Sequence, residues 1–355
     1  MRAATCRAYG PPEGLAVEEL PQPWPKAGEI LVRVCASTVT SGDVRMRAFS
    51  GAGIFWLPMR LAFGVFRPRN PIIGMEFSGR IAAVGARVRS FSVGDPVFGV
   101  KLGGANATYL TLPETGAVAV KPEGLSFGEA AAVPFGALAA LGFVRDVARL
   151  KAGQRILIHG ASGAVGVFAI RLAKYFGAHV TGVCSKANMS LVASLGADVV
   201  IDYQTTDFTQ GAECYDVILD TVGGTRFSQT RRVLKPKGRH VFVVHALPQL
   251  LQALWTSLWG GRRVIIGISD DTREDLQLIS SLVSSGKIRP VIDRIYGLRD
   301  IVEAHRYVET GRKRGAVVID IGRDQTGEVS MTSAMAWRDY CLHSRRLTES
   351  MAGAA

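Results

Sequence analysis

The spacing of apolar residues before Gly124 is typical of strands and turns. Apolar and β-branched residues alternate or run together at 29–36, 71–84 and 96–100, and glycines separate these segments. No long helical period occurs in this region, apart from a short one near Arg60. The pattern therefore predicts that the chain begins with a β-rich region.

After Gly124 the pattern changes to an alternation of helices and short apolar runs. An alanine-rich, helix-forming segment at 127–150, interrupted by Pro134, comes first. Predicted strands follow at 155–159, 179–184, 199–202, 217–220, 240–244 and 263–268, and predicted helices at 164–176, 188–195 and 227–234. Short buried strands that alternate with amphipathic helices are typical of a parallel, doubly wound sheet, so the predicted fold class is α/β.

The segment after Lys287 has the pattern strand, helix, strand, which indicates a return to the first domain. We therefore predict a β-rich domain from 1–125 and 287–322, and a doubly wound domain from 126–286. Residues 323–355 carry few regularly spaced apolar positions, apart from a helix-compatible stretch at 336–346. They are predicted to form a weakly ordered C-terminal tail.

A glycine-rich turn joins the first strand of the doubly wound domain to its first helix. Glycines at such a turn let the backbone approach a diphosphate, and the N-terminus of the helix offers free N–H groups and a partial positive charge. A strand before the turn and a helix after it make the signal specific for a dinucleotide. The candidate cofactor-binding residues of this turn are Gly160, Ser162, Gly163, Ala164, Val165 and Gly166.

The end of the second predicted strand favours NADPH. A site for NAD carries Asp or Glu about 20 residues after the turn, where the carboxylate binds the 2′-hydroxyl of the ribose. Residues 165–197 contain no Asp or Glu, and Ser185 and Lys186 follow the strand instead. A carboxylate would repel a 2′-phosphate, whereas these two side chains can donate hydrogen bonds to it. We therefore predict NADPH as the cofactor, with Ser185 and Lys186 in its binding site.

The charge balance raises the question of a nucleic-acid partner. The 355 residues include 42 Lys and Arg against 30 Asp and Glu, a net charge of +12. Such an excess attracts nucleic acid, acidic lipid or a phosphorylated small molecule. No block of five like charges and no nucleic-acid-binding motif occurs. We interpret the excess as solvated basic faces and an anionic cofactor, with a nucleotide- or RNA-binding regulatory protein as the alternative of another class.

The cysteines and the longest uncharged segment bear on location. The five cysteines are widely spaced without a CxxC pair, which argues against a disulfide framework, and the N-terminus lacks the apolar core of a signal peptide. The predicted location is therefore the cytoplasm. The uncharged residues 240–261 are long enough to span a bilayer, but they include His, Gln and Pro248. We predict a buried strand followed by an apolar loop or lid there, without stable membrane insertion.

Nine segments, in the same order along the chain, resemble one enzyme family. The segments are GEILVRVCASTVTSGD (28–43), PIIGMEFSGRIAAVG (71–85), VGDPVFG (93–99), AAAVPFGALAAL (130–141), the turn at 160–166, LGADVVIDY (195–203), YDVILDTVG (215–223), LKPKGR (234–239) and GRKRGAVVI (311–319). With these segments, residues 1–321 resemble the medium-chain dehydrogenase/reductase superfamily, in its zinc-independent, quinone-oxidoreductase-like branch. The resemblance implies a GroES-like β-rich domain with a Rossmann domain inserted in it, and an active site in the cleft between them.

The resemblance also implies the type of reaction. Enzymes of this branch transfer a hydride from a nicotinamide to quinones, enones or related carbonyl compounds. The zinc-dependent branch has a His-Glu pair where this chain has Met75 and Glu76. Cys35 lies several residues before the expected ligand position, and no cysteine occurs between Cys35 and Cys184. Because the nitrogen and sulfur ligands are missing, we predict no metal site.

Single residues acquire roles from the same resemblance. Thr40 and Asp43 match the Asn and Asp of the segment beside the nicotinamide, and they are the candidate catalytic residues. Tyr203 matches a tyrosine near the 2′-phosphate of the cofactor. Many relatives have a lysine at the position of Ala316, which leaves Arg314 as the nearby cation and a candidate cofactor contact.

The fifth predicted strand of the doubly wound domain ends at Val244, and in this fold that end faces the nicotinamide. Val244 is therefore a candidate cofactor contact. His245 follows it and is either a proton donor or a structural residue.

The function predicted from these residues is that of a soluble, NADPH-dependent reductase. Its substrate would be a small electrophilic carbonyl compound, a quinone or an α,β-unsaturated ketone. The alternative enzyme is an NADP-dependent alcohol or aldehyde dehydrogenase. The apolar segment 262–269 is predicted to be an edge strand, and an edge of this kind favours a homodimer.

Overall fold

The computed structural model describes residues 1–49, 56–244, 247–258, 261–267 and 269–322. The strands are β1 (Arg2–Cys6), β2 (Leu15–Glu19), β3 (Glu29–Val39), β4 (Glu76–Val84), β5 (Pro96–Val100), β6 (Tyr109–Pro113), β7 (Val118–Val120), β8 (Arg155–His159), β9 (His179–Cys184), β10 (Val199–Asp202), β11 (Tyr215–Asp220), β12 (Leu234–Phe242), β13 (Arg263–Ile266), β14 (Ile292–Gly297) and β15 (Ala316–Asp320). The helices are α1 (Ser41–Ala48), α2 (Trp56–Phe63), α3 (Phe127–Ala131), α4 (Pro134–Leu141), α5 (Ala164–Tyr175), α6 (Met189–Ser194), α7 (Phe227–Thr230), α8 (Leu247–Leu258), α9 (Arg273–Ser284) and α10 (Ile301–Glu309).

The N-terminal strands form a mainly antiparallel sheet in the order β14-β15-β3-β4-β5-β7, and β6 pairs with β3 as well. Strand β3 organises this sheet, because it pairs with β4, β6 and β15. Strands β14 and β15 come from the end of the described chain and lie parallel to each other. The chain therefore returns to its first sheet, and this return places Gly315, directly before β15, beside the turn that follows β8.

The second sheet is parallel, with the strand order β10-β9-β8-β11-β12-β13. Numbered from β8, this is the order 3-2-1-4-5-6 of a Rossmann sheet, in which ligands bind where the order reverses, beside the first strand. The central strand β8 is fully buried at Ile156, Leu157 and Ile158, because helices cover both faces. The α/β fold class predicted from the sequence is confirmed.

Apart from α8, two helices were not predicted from the sequence, namely α1 and α9. Each begins at a threonine whose side chain accepts a hydrogen bond from the backbone three residues later, Thr40 from Asp43 and Thr272 from Asp275. Such caps satisfy an N–H group that the helix leaves unpaired. Helix α1 has little apolar period, so its cap is the main sequence signal for it. Helix α9 does have an apolar period, which the sequence analysis overlooked, and its buried face consists of Leu276, Ile279, Leu282 and Val283.

The apolar segment after β12 is a helix, so the predicted loop is wrong there. Helix α8 has three turns, which is shorter than a bilayer span. A different stretch, Phe127–Val147, is long and apolar enough to cross a membrane, but most of its apolar part is buried inside the protein. A buried core helix passes the same test, so this stretch gives little support to membrane insertion. His245 and the predicted tail at 323–355 lie outside the described residues.

The two sheets meet beside the glycine-rich turn. The backbone N–H of Gly315 donates to the carbonyl oxygen of Ser162 at 2.9 Å, and Gly315 forms a parallel bridge with Gly163. On the other side, the carboxylate of Glu76 accepts the backbone N–H of Phe135 at 2.7 Å, which joins β4 to the first turn of α4. The cleft between the sheets therefore has the glycine turn as one wall.

Candidate active site

The glycine turn is shaped by close backbone contacts. Gly160 has a φ of +79°, and a Cβ atom there would lie 2.5 Å from the Thr221 hydroxyl oxygen. A Cβ atom on Gly166 would lie 2.3 Å from the carbonyl oxygen of Gly160. Neither position accepts a side chain without displacing the turn, so the turn and α5 stay close enough for a backbone cradle.

The first turn of α5 offers its N–H groups to a ligand. Gly163 is the N-cap, no side chain caps the helix, and its first turn contains no acidic residue. The N–H groups of Ala164 and Val165 therefore lie at the positive end of the helix dipole. An anion such as a diphosphate fits this site.

Ser162 fixes the turn from two directions. Its hydroxyl accepts a hydrogen bond from the Asn188 side chain at 3.0 Å, and its carbonyl oxygen accepts the N–H of Gly315. The first bond joins the turn to the segment after β9, and the second joins it to the residue before β15. Ser162 is thus held by one contact within the Rossmann domain and by one contact with the segment before β15.

Three predicted residues for the 2′-phosphate meet at the adjoining ends of β9 and β10. Ser185 and Lys186 follow β9, and the backbone N–H of Tyr203 donates to the carbonyl oxygen of Cys184 at 3.1 Å. Lys186 is exposed, and the side chain of Tyr203 is 56% exposed. The nearby carboxylate of Asp202 is buried and accepts the N–H of Gln204. The open part of this corner thus presents a lysine, a serine and a tyrosine.

Behind the turn, a buried carboxylate holds the loop after β11. Asp220 accepts the backbone N–H groups of Val222, Gly223 and Thr225 at 2.8–2.9 Å, and His159 lies 3.1 Å from it. Burial by itself would raise the pKa of Asp220. Hydrogen bonds from His159 and Thr225 outweigh burial and hold this pKa well below its usual range. Asp220 is therefore charged in the folded protein and stabilises the loop that lies against Gly160.

We expect Asp220→Asn to destabilise the protein by about 2–3 kcal/mol at neutral pH, because charge-assisted bonds to three backbone N–H groups are weakened. The contribution of Asp220 is present above its unfolded pKa of about 4 and is lost as the pH falls below it. The variant should therefore lose less stability than wild type between about pH 4 and pH 2. Urea unfolding across this range measures the effect, with the exposed Asp270→Asn as control. Equal acid sensitivity of wild type and Asp220→Asn would contradict this account.

Val244 follows β12 and packs over the same loop. A Cβ atom on Gly223 would lie 3.2 Å from the carbonyl oxygen of Val244 and 3.4 Å from its side chain. Val244 is half-buried at the carboxyl end of the sheet, on the side of the glycine turn.

The two candidate catalytic residues form a capping box at the start of α1. The carboxylate of Asp43 accepts both the backbone N–H and the hydroxyl of Thr40 at 2.7 Å, and its own N–H donates to the Thr40 hydroxyl oxygen. Both residues are buried, and burial raises the pKa of Asp43 to about 6, although these hydrogen bonds oppose the shift. Thr40 lines the cavity of the cleft, whereas Asp43 is not among the lining residues and contacts Thr40 from behind. Their catalytic role stays a prediction.

The sequence analysis missed two charged residues in that cavity. Its lining comprises Thr38, Val39, Thr40, Glu76, Ala132, Ala164, Phe168, Lys313, Gly315 and Ala316. Burial raises the pKa of Glu76 to about 7, and burial lowers the pKa of Lys313 to about 8. The carboxylate of Glu76 accepts the hydroxyl of Thr38, and the Lys313 ammonium donates to the carbonyl oxygen of Gly315 at 2.6 Å. A charge inside an otherwise apolar run was the available signal for Glu76, whereas Lys313 lies between Arg312 and Arg314 and carries no such signal.

Arg314 points to a different partner. Its guanidinium donates to Asp293 at 3.1 Å, its backbone N–H donates to the same carboxylate, and its side chain is 53% exposed. Arg314 is not among the residues that line the cavity, whereas Lys313 is. The structure thus brings Lys313, and not the predicted Arg314, to the wall of the cleft.

Comparisons with known proteins agree with this architecture. Residues 26–123 match the family profile described as an alcohol dehydrogenase GroES-like domain, and residues 195–319 match one described as a zinc-binding dehydrogenase. Within the described part of the chain, no group of three or more His, Cys, Asp or Glu side chains is arranged to hold a metal ion. Met75 precedes Glu76 where the zinc-dependent branch has a histidine.

Full-length relatives and solved structures are similar over most of the chain. The mitochondrial NAD(P)H oxidoreductase RTN4IP1 of Mus musculus is 33% identical over 325 residues, which cover 82% of this chain and 82% of that protein. The trans-enoyl reductase pgmF of Aspergillus terreus is 33% identical over 335 residues, covering 84% and 88%. The structure of the quinone oxidoreductase from Coxiella burnetii aligns with a TM-score of 0.81 at 30% identity, covering 90% of this chain and 99% of that one.

Proposed function

The chain belongs to the medium-chain dehydrogenase/reductase superfamily and is an oxidoreductase that uses a nicotinamide cofactor, and from this premise we propose that it is an NADPH-dependent reductase of quinones or α,β-unsaturated ketones. The observation that carries the choice of NADPH is the corner formed by Ser185, Lys186 and Tyr203. This corner presents hydrogen-bond donors and a cation, and its nearest carboxylate is turned inward. A 2′-phosphate is favoured there over a 2′-hydroxyl.

The names of relatives support the proposed substrate class. One relative is named a trans-enoyl reductase and another a chloroplast envelope quinone oxidoreductase homolog. The bound cofactor would supply a hydride. The chain would contribute the N-terminus of α5 for the diphosphate, Val244 beside the nicotinamide, and Thr40 in the wall of the cavity. The one hydroxyl proton of Thr40 is donated to the Asp43 carboxylate, so the hydroxyl would have to rotate away from Asp43 to donate to the substrate oxygen.

The purified protein tests this proposal with a substrate panel. The panel would contain a benzoquinone, an α,β-unsaturated ketone, a saturated aldehyde and a primary alcohol, each with NADPH or NADH, or with the oxidised forms for the alcohol. We expect NADPH oxidation with the quinone or the enone. Turnover of the alcohol and aldehyde alone would favour the alcohol dehydrogenase alternative. Salt-dependent RNA retention without turnover would favour the regulatory one.

We propose a homodimer in a reducing compartment, the cytoplasm. In the described part of the sheet β13 pairs with β12 alone, which leaves an edge. Beside it, α8 exposes Leu251, Leu254, Trp255 and Leu258, and a second subunit would cover this apolar face. The four cysteines that the structure describes are free thiols, as a reducing compartment favours.

Sedimentation of detergent-free protein should give a mass near twice 38.0 kDa. Leu254→Glu should shift the protein towards monomer, because it places a charge in the exposed apolar face of α8. Leu102→Glu changes a comparably exposed leucine elsewhere and should leave the mass unchanged. A wild-type monomer would contradict the homodimer.

A further inference from the structure

Lys313 is a buried cation in the wall of the cleft. It is 8% exposed, and the cavity that it lines also contains Ala164 of the first turn of α5. Gly315 lies between them, since its carbonyl oxygen accepts the Lys313 ammonium and its N–H donates to the Ser162 carbonyl oxygen. Lys313 is therefore two residues from the peptide that binds the glycine turn.

The hydrogen bond to Gly315 uses one of the three donors of the ammonium group. The acidic groups whose charges act on it are Glu76 on β4, Asp43 on α1 and Asp293 on β14. The Asp43 carboxylate accepts hydrogen bonds from Thr40, and Asp293 is paired with Arg314. Burial raises the pKa of Glu76 to about 7, so this carboxyl group is partly neutral near pH 7. The α5 residues of the cavity, Ala164 and Phe168, carry no charge. The buried ammonium is thus only partly balanced by the protein.

The same cavity contains Ala316, which occupies the position where the family resemblance places a lysine. The cation is missing at 316 and present at 313, and both positions line one cavity. Lys313, in the turn before β15, therefore brings a positive charge to the same cavity that a lysine at position 316 would line.

We propose that Lys313 is a further cofactor-binding residue, whose buried ammonium group attracts the diphosphate of the nicotinamide dinucleotide at the first turn of α5 in place of a lysine at position 316. This role rests on the proposed use of a dinucleotide, but not on the choice between NADPH and NADH or on the substrate.

Titrations of the full chain with three nucleotides test this role. NADPH and ADP contain a diphosphate, and 2′-AMP does not. Lys313→Met replaces the lysine by an unbranched apolar side chain of similar length and removes the charge. It should raise the Kd for NADPH and the Kd for ADP about tenfold or more, and leave the Kd for 2′-AMP nearly unchanged. Arg312→Met, an exposed neighbour, is the matched control. A second change, Ala316→Lys in the Lys313→Met background, should restore most of the affinity for NADPH.

The pH dependence of binding in the wild-type protein gives an independent readout. A diphosphate beside Lys313 favours its protonated form, so affinity for NADPH should be full near neutral pH and decrease as the pH rises above about 8. Lys313→Arg should flatten this decrease, because arginine stays protonated. If Lys313→Met fails to fold, the pH dependence of NADPH affinity in the wild-type protein and in Lys313→Arg tests the role of Lys313.

Three results would overturn the proposal. These are unchanged NADPH affinity in folded Lys313→Met, an equal loss for 2′-AMP, and a wild-type affinity that does not change with pH. Binding of neither NADPH nor NADH by wild type would overturn this inference and the proposed function together. A preference for NADH, or turnover of alcohols alone, would refute the proposed function and leave the role of Lys313 standing.

Discussion

Replacing Lys186 by alanine is expected to raise the Kd for NADPH about tenfold and to leave the Kd for NADH nearly unchanged. Lys186 follows β9 at the corner where the 2′-phosphate would lie, and a hydrogen bond to a charged group contributes about 1.5–3 kcal/mol. Lys186 is exposed, so the effect should lie near the lower end of this range and decrease with added salt. Fluorescence titration or calorimetry with both cofactors measures it.

Two variants sharpen this test. Ser185→Asp places a carboxylate at the end of β9, where NAD-specific sites hold one, and should shift the preference toward NADH. Lys151→Ala removes an exposed lysine elsewhere and should change neither affinity. If wild type binds NADH as tightly as NADPH, the assignment of this corner to a 2′-phosphate is wrong.

The strands of the Rossmann sheet were predictable because each depends on local sequence. The predicted segments 155–159, 179–184 and 199–202 coincide with β8, β9 and β10. Each is a short run that is mostly apolar, ended by glycine or polar residues, which a buried parallel strand requires. Helix α1 is different, since the capping box of Thr40 and Asp43 specifies its start, and its residues have little apolar period.

Helix α8 shows a second limit of reasoning from patterns. Leu247, Leu251, Leu254 and Leu258 recur at helical spacing, but they form the exposed face of the helix. The usual interpretation assigns an apolar face to the core. From the sequence alone, the segment was therefore interpreted as a buried strand followed by a loop. The proposed contact with a second subunit would explain why the helix exposes its leucines.

In the site, predictability also depends on distance along the chain. The glycine turn was predictable because Gly160, Gly163 and Gly166 contact one another within a single strand-turn-helix unit. Glu76 and Lys313 come from segments at opposite ends of the chain, and the pairing of β3 with β4 and β15 brings them to one cavity. Their altered pKa values result from burial in that cavity, which the sequence does not specify locally.

Gly166→Ala should have the largest effect on the fold and on cofactor binding together. The new Cβ atom would lie 2.3 Å from the Gly160 carbonyl oxygen and 2.8 Å from the Ala161 backbone, so the turn or α5 must move. Overpacking of this kind costs about 1–3 kcal/mol. The shift displaces the N–H groups of the α5 N-terminus, so the Kd for NADPH should rise by at least about tenfold.

The control for this variant is Gly128→Ala in α3. A Cβ atom there would meet a Val318 methyl group at 3.6 Å, an ordinary contact, so alanine should be neutral or stabilising by up to about 1 kcal/mol. Alanine favours the helix at both positions, and the two variants therefore differ only in the space around the added methyl group. Urea unfolding and NADPH titration of both proteins measure the difference. If Gly166→Ala matches Gly128→Ala in stability and in NADPH affinity, the close approach of α5 to Gly160 is not what builds the cofactor site.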